Sequence, residues 1–136
     1  MKKFFLLLLI FILSGCNEKS SSGDSGAPDV IITERFFEQQ VNEIYQNHTR
    51  YLGKVIQYEG FFLSDTWNNE VIHVVVQEVL CCSGMETTYG FEILIGETEP
   101  FEDGTWVEVT GVLEDSEDGF IMIRAISIYE REVPNI

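Results

Sequence analysis

The sequence is short of positive charge. Its 136 residues carry 8 Lys and Arg against 23 Asp and Glu, a formal net charge of −15. Proteins that hold nucleic acid cluster Lys and Arg against the phosphates, so this balance argues against an OB-fold nucleic-acid binder. It also argues against acidic partners and direct attraction to anionic headgroups. Long hydrophobic runs are missing as well. The longest, Phe4 to Leu13, has ten apolar residues, too few to span a bilayer as a helix. Only three cysteines occur, at 16, 81 and 82, with no Cys-x-x-Cys spacing. No Ser/His/Asp order, glycine-rich phosphate loop, isolated carboxylate pair or EF-hand spacing appears. The expectation is therefore a protein that is not an enzyme.

What is present starts with an export signal. Lys2 and Lys3 precede the apolar run, which ends in Leu13-Ser14-Gly15-Cys16. That pattern resembles a bacterial lipoprotein signal peptide, with residues 1–15 removed and the Cys16 thiol accepting diacylglycerol. The implied location is the cell membrane, lipid-anchored through Cys16 on the extracytoplasmic side. Loss of Lys2 and Lys3 leaves six basic against 23 acidic residues, a net charge of about −17. Residues 16–30 are rich in Ser and Gly without apolar periodicity and read as a flexible tether. Residues 31–136 make one small domain.

Within it, the period is helical from Ile31 to about Tyr51. Phe37, Val41, Ile44, Tyr45 and His48 share one face, Thr33 is placed to cap the N-terminus, and His48 suits the negative C-terminal end. After Gly53 the period becomes two. Five strands are predicted at Lys54–Leu63, Val71–Leu80, Tyr89–Ile95, Thr105–Leu113 and Phe120–Tyr129, with polar turns between them. The fold class expected is mainly β, a small five-stranded OB-like barrel preceded by one amphipathic helix. Gly60 and Gly111, inside strands, mark bends or bulges. Phe36, Phe37, Phe61, Phe62, Trp67, Phe91, Trp106 and Phe120 are assigned to the core. The carboxylates at Glu97-Glu99, Glu102-Asp103 and Glu114 to Asp118 fall in turns and read as solvated.

The segments YLGKVIQYEGFFL, EVLCC, WVEVTGVLE and IRAISIYE, spanning Tyr51 to Glu130, resemble one known domain. It is the extracytoplasmic OB-like C-terminal domain of an uncharacterised family of permease-associated bacterial membrane proteins. That family carries a Cys-Cys pair after the second strand, followed by small residues and an Asp. This chain has Ser83-Gly84-Met85-Glu86 there, so Glu86 would stand in for the Asp from a shifted position. The resemblance implies the fold, the compartment and a membrane permease component as partner.

The Cys81-Cys82 pair admits three readings. A vicinal disulfide must close across Cα atoms about 3.8 Å apart, below the usual range of roughly 4.4–6.8 Å, and would be strained. A metal site would use Cys81, Cys82, Glu86 and His73, with Met85 nearby, for Zn²⁺ or Cu⁺. Regular strand alternation sends the two thiols to opposite faces, so convergence requires a bend at Ser83-Gly84. In the third and preferred reading, Cys82 is a small core residue and no cofactor is bound. The function expected is a lipid-anchored binding or accessory module of unknown ligand. The alternatives are a metal-binding or thiol-redox protein using the pair, and an OB-fold nucleic-acid binder.

Overall fold

The structure, a computed structural model, describes residues 27–81 and 83–135. The export signal, Cys16, most of the tether and Cys82 lie outside the described residues.

The described chain forms β1 (Val30–Ile31), a 3-10 turn (Glu34–Phe36), α1 (Phe37–Gln46), α2 (His48–Tyr51) and then five long strands. These are β2 (Val55–Trp67), β3 (Glu70–Leu80), β4 (Glu86–Leu94), β5 (Thr105–Asp115) and β6 (Ile121–Glu130). The sheet order is β1-β2-β3-β4-β6-β5, and β5 also pairs with β2, so the ladder from β2 to β6 returns to its start. The protein is mainly β and OB-like.

Six strands stand where five were expected, because Val30 and Ile31 join the sheet instead of opening the helix. They pair in parallel with Ile56 and Gln57. The Asp29 amide donates to the Val55 carbonyl, and its side chain accepts the Val55 amide at 2.8 Å. Val30, Ile31 and Ile32 are β-branched, so an available sheet edge outweighs a weak helix preference. Thr33 makes no side-chain cap. Instead Gln40 ties this segment down, accepting the Thr33 amide at 2.8 Å and donating to the Ile31 carbonyl at 3.2 Å.

The single predicted helix is also broken. Asn47, at φ −120° and ψ 33°, separates α1 from α2, so His48 opens a second short helix. Its Nδ1 still lies 3.4 Å from the Tyr45 carbonyl in the last turn of α1. Of the expected face, Phe37, Val41 and Ile44 are buried and Tyr45 is 45% exposed. The Tyr45 ring nevertheless stacks on Phe91 at 5.1 Å, and its hydroxyl donates to the Gly90 carbonyl at 2.8 Å.

Strand β2 is long because it serves two partners. Its first part pairs with β5, from Val55↔Val112 to Phe62↔Thr105, and its last part with β3, from Phe61↔Val76 to Trp67↔Glu70. The exchange happens at Phe61 and Phe62, directly after Gly60. A Cβ on Gly60 would lie 2.7 Å from the Val76 carbonyl oxygen, so only glycine lets β3 close against the bend. Gly111 sits at the register shift between β5 and β6, next to the Arg124 carbonyl. Both glycines therefore take the places expected of them.

The core lies between the sheet and α1. Tyr58 is at its centre, with its ring edge-on to Phe91 at 5.7 Å and tilted against Phe37 at 5.8 Å. Its buried hydroxyl donates to the Val75 carbonyl at 2.7 Å and accepts the Phe91 amide at 3.3 Å. Burial raises its pKa well above the ordinary value. Of the aromatics assigned to the core, Phe37, Phe62, Phe91 and Trp106 are buried and Phe61 is half-buried. The other three are not in it. Phe36 is 49% exposed, and Trp67 and Phe120 are each 62% exposed.

Candidate functional site

Trp67 and Phe120 are exposed because each abuts a turn. β2 and β3 pair down to Trp67↔Glu70, leaving only Asn68 and Asn69 to reverse the chain. Both asparagines have positive φ, 50° and 65°, the conformation of a type I′ hairpin turn. Trp67 therefore sits on the last rung of the ladder, beyond any residue that could cover it. On the β5–β6 hairpin, Asp115 faces Ile121 and Ser116 ties the loop. Its amide donates to the Phe120 carbonyl at 2.7 Å, and its hydroxyl accepts the Phe120 amide at 3.1 Å. The Gly119 amide donates to the Ser116 carbonyl at 3.0 Å. A self-bonded loop holds the phenyl ring outward.

Between the two hairpins runs an open groove of about 750 Å³. Its floor is the outer face of the sheet, with Ile72 on β3, Glu92 on β4 and Met122 on β6. Glu92 faces both Val74 and Met122 in register, so the floor is continuous across three strands. Trp67 and Phe120 form the walls, and Asn68, Glu70, Ser116 and Asp118 complete the lining. Glu92 and Phe120 also border a second hollow of about 330 Å³ that reaches Tyr45 and His48. The Tyr45 hydroxyl has a raised pKa, first from burial and then from the Glu92 carboxylate. OB folds commonly take ligands on this face, between these two hairpins.

A competing hollow of about 260 Å³ lies beside Gln57, Glu59, Trp106 and Glu108. Its polar groups are engaged with one another. Trp106 Nε1 donates to Glu59 at 2.8 Å, Gln77 donates to the Glu59 carbonyl at 2.9 Å and Arg131 donates to Glu108 at 3.2 Å. Those bonds satisfy the β2 edge between β1 and β3.

The residues singled out for a metal do not all meet. Cys81 opens the β3–β4 turn, its amide donating to the Met85 carbonyl at 3.0 Å and its carbonyl accepting the Gly84 amide at 2.8 Å. The bend at Ser83-Gly84 is present, and Glu86 starts β4 opposite Leu80. Cys81, Met85 and Glu86 thus share one hairpin, while Cys82 lies outside the described residues. His73 is eight residues back along β3, roughly 26 Å away at about 3.3 Å per residue. It faces inward there, stacked on Phe62 at 5.3 Å with Nδ1 3.0 Å from the Ser64 hydroxyl. Among the described residues no three His, Cys, Asp or Glu side chains are grouped to hold a metal. Nearby, the Glu38 carboxylate accepts the Tyr89 hydroxyl at 3.1 Å and so raises its pKa.

Two carboxylates of the acidic turns are tied into the structure: Asp103 accepts the Ser64 amide at 2.9 Å, and Glu114 accepts Arg124 Nε at 2.7 Å. Sequence reasoning missed the groove by placing Trp67 and Phe120 in the core. The signal was local: Trp67 directly precedes Asn-Asn, and Phe120 directly follows Gly119.

The family model for the DUF1980 C-terminal domain matches residues 16–130. The chain belongs to that family. As a DUF1980 C-terminal domain it has the strand order just described, and the match spans both the Cys81-Cys82 pair and the groove. Two solved structures are similar to it. One is the dimeric N-terminal domain of PriB protein from Thermoanaerobacter tencongensis, at 19% identity and TM-score 0.36, over 60% of this chain and 97% of that one. The other is a small single-stranded DNA-binding protein from Streptomyces coelicolor, at 15% identity and TM-score 0.38, over 58% and 94%. The fold assignment rests on the strand pairing and not on these likenesses. No curated protein matches the sequence. No helix among the described residues is long and apolar enough to cross a membrane.

Proposed function

We propose that this DUF1980 C-terminal domain is a lipid-anchored extracytoplasmic binding module, accessory to a membrane transporter and without catalytic activity of its own. Its five long strands work as a small OB-like barrel, and the ligand sits in the groove between the β2–β3 and β5–β6 hairpins. The observation that carries this reading is the pair of exposed rings, Trp67 and Phe120, held across an open groove by two hairpin turns. Trp67 and Phe120 line one groove together with Ile72 and Met122, and grouped exposed apolar side chains mark contact sites; OB folds bind on this face. The lipid anchor is supported by the Leu-Ser-Gly-Cys motif ending at Cys16. The transporter association is supported by family resemblance alone.

Calorimetric titration of the full chain with spermidine, chitohexaose and an oligothymidylate tests the binding reading. At least one of the first two binds, and replacing Trp67 and Phe120 by Ala abolishes the heat. Binding that survives the double substitution, or no binding to either, overturns it. Oligothymidylate binding would reinstate the nucleic-acid alternative. For the anchor, Cys16→Ser moves the chain from the membrane to the soluble fraction, and retention on the membrane contradicts the proposal.

A further inference from the structure

The groove has a chemical bias that narrows what it can hold. Three carboxylates, Glu70, Glu92 and Asp118, are spread along it from the β2–β3 tip across the floor to the β5–β6 loop. No Lys or Arg is among its lining residues. The five basic side chains of the described residues are all engaged elsewhere. Arg50, Arg124 and Arg131 pair with Glu43, Glu114 and Glu108, while Arg35 and Lys54 lie over the rings of Phe36 and Tyr51. The negative potential of the groove is therefore not cancelled from within the domain, and the surrounding surface has the same sign.

The two walls add a second preference. The faces of exposed Trp and Phe rings attract cations, most strongly ammonium groups carried on hydrocarbon that also buries apolar surface. Ile72 and Met122 on the floor suit that hydrocarbon. A bare metal ion would use the carboxylates and ignore the rings, and the carboxylates are not grouped closely enough to hold one. The volume, about 750 Å³, falls in the range of small-molecule sites. A neutral sugar would match the rings and leave the charge unused. A phosphate-bearing ligand would be repelled.

We propose that the groove binds an elongated organic cation with two or more ammonium groups, of the polyamine type. This rests on the groove being the binding site, as proposed above. Trp67 and Phe120 hold the hydrocarbon and one ammonium group between them, and Glu92, with Glu70 and Asp118, takes the others.

Spermidine titrated into the full chain, with fully N-acetylated chitohexaose and triacetylspermidine as neutral comparisons, tests this. Spermidine binds, triacetylspermidine does not, and Glu92→Gln weakens spermidine about tenfold, as loss of a charged hydrogen-bond partner does. Asp118→Asn, at an exposed position, has a smaller effect in the same direction, so the outcome does not depend on how well Glu92→Gln folds. Trp67→Ala weakens binding at least about fivefold. Spermidine binding that ignores Trp67, Phe120 and Glu92 is general attraction to an acidic surface and overturns the inference. If chitohexaose binds through Trp67 and spermidine does not bind, the cation class falls and the binding module stands. If none of the three binds, both fall.

Discussion

Phe62 and Trp67 lie five residues apart on the same strand and have opposite fates. Phe62 is fully buried, edge-on to Phe101 at 5.6 Å and stacked with His73. Trp67 is 62% exposed at the end of the ladder. Phe91 and Phe120 repeat the contrast on β4 and the β5–β6 loop. Aromatic character gives large burial energy only where a neighbouring element arrives to cover the ring. One residue from a two-residue turn, no element can. The same side-chain chemistry therefore builds the core in one region and a contact surface in the other.

That contrast can be broken by substitution, starting with the interior. Phe62→Ala removes a buried ring and should destabilise the domain by about 3–5 kcal/mol in denaturant unfolding. A loss under about 1 kcal/mol would mean that Phe62 is not core. Gly60→Ala comes next, at about 1–3 kcal/mol, because the added methyl meets the Val76 carbonyl where β2 changes partners. Unchanged stability there would show that β3 can move away from the bend.

Tyr58→Phe should cost about 1–2 kcal/mol, leaving the buried Val75 carbonyl and Phe91 amide without the hydroxyl. It also carries a pH signature. Burial raises the folded-state pKa of Tyr58, so the protonated phenol belongs to the native state. Its stability contribution is complete below the unfolded value of about 10 and declines as pH rises from there toward the folded value. Melting temperatures across that window should fall more gently in Tyr58→Phe than in the parent. The residual slope includes Tyr45, whose pKa is raised in the same direction. Equal slopes would contradict the assignment. Trp67→Ala has the smallest expected effect on stability, within about 0.5 kcal/mol, as for surface positions in general. A loss comparable to that of Phe62→Ala would erase the distinction between the regions.

Much of the fold was legible because long strands announce themselves. Val107, Val109 and Leu113 share one strand face and are fully buried, and Gly60 and Gly111 mark the bend and the register shift. What stayed hidden depends on partners far along the chain. Val30 and Ile31 look like the approach to a helix until the β2 edge is available to pair with them. The metal reading groups His73 with Cys81, yet the length of β3 separates them. The Cys81-Cys82 pair drew attention to one end of β3, while the groove lies at the other, where Glu70, Ile72 and Trp67 gather. Its carboxylates are scattered in sequence at 70, 92 and 118, and only sheet closure brings them onto one face.

The most direct test is where a ligand is felt. Amide ¹H–¹⁵N spectra of the full chain, recorded as spermidine is added, report on both ends of β3 at once. Shifts should concentrate at Trp67, Asn68, Glu92, Ser116 and Phe120 and leave Cys81, Gly84 and Met85 in place. Shifts centred on the Cys81–Met85 hairpin, or spread evenly over the acidic surface, would contradict a binding site between the two hairpins.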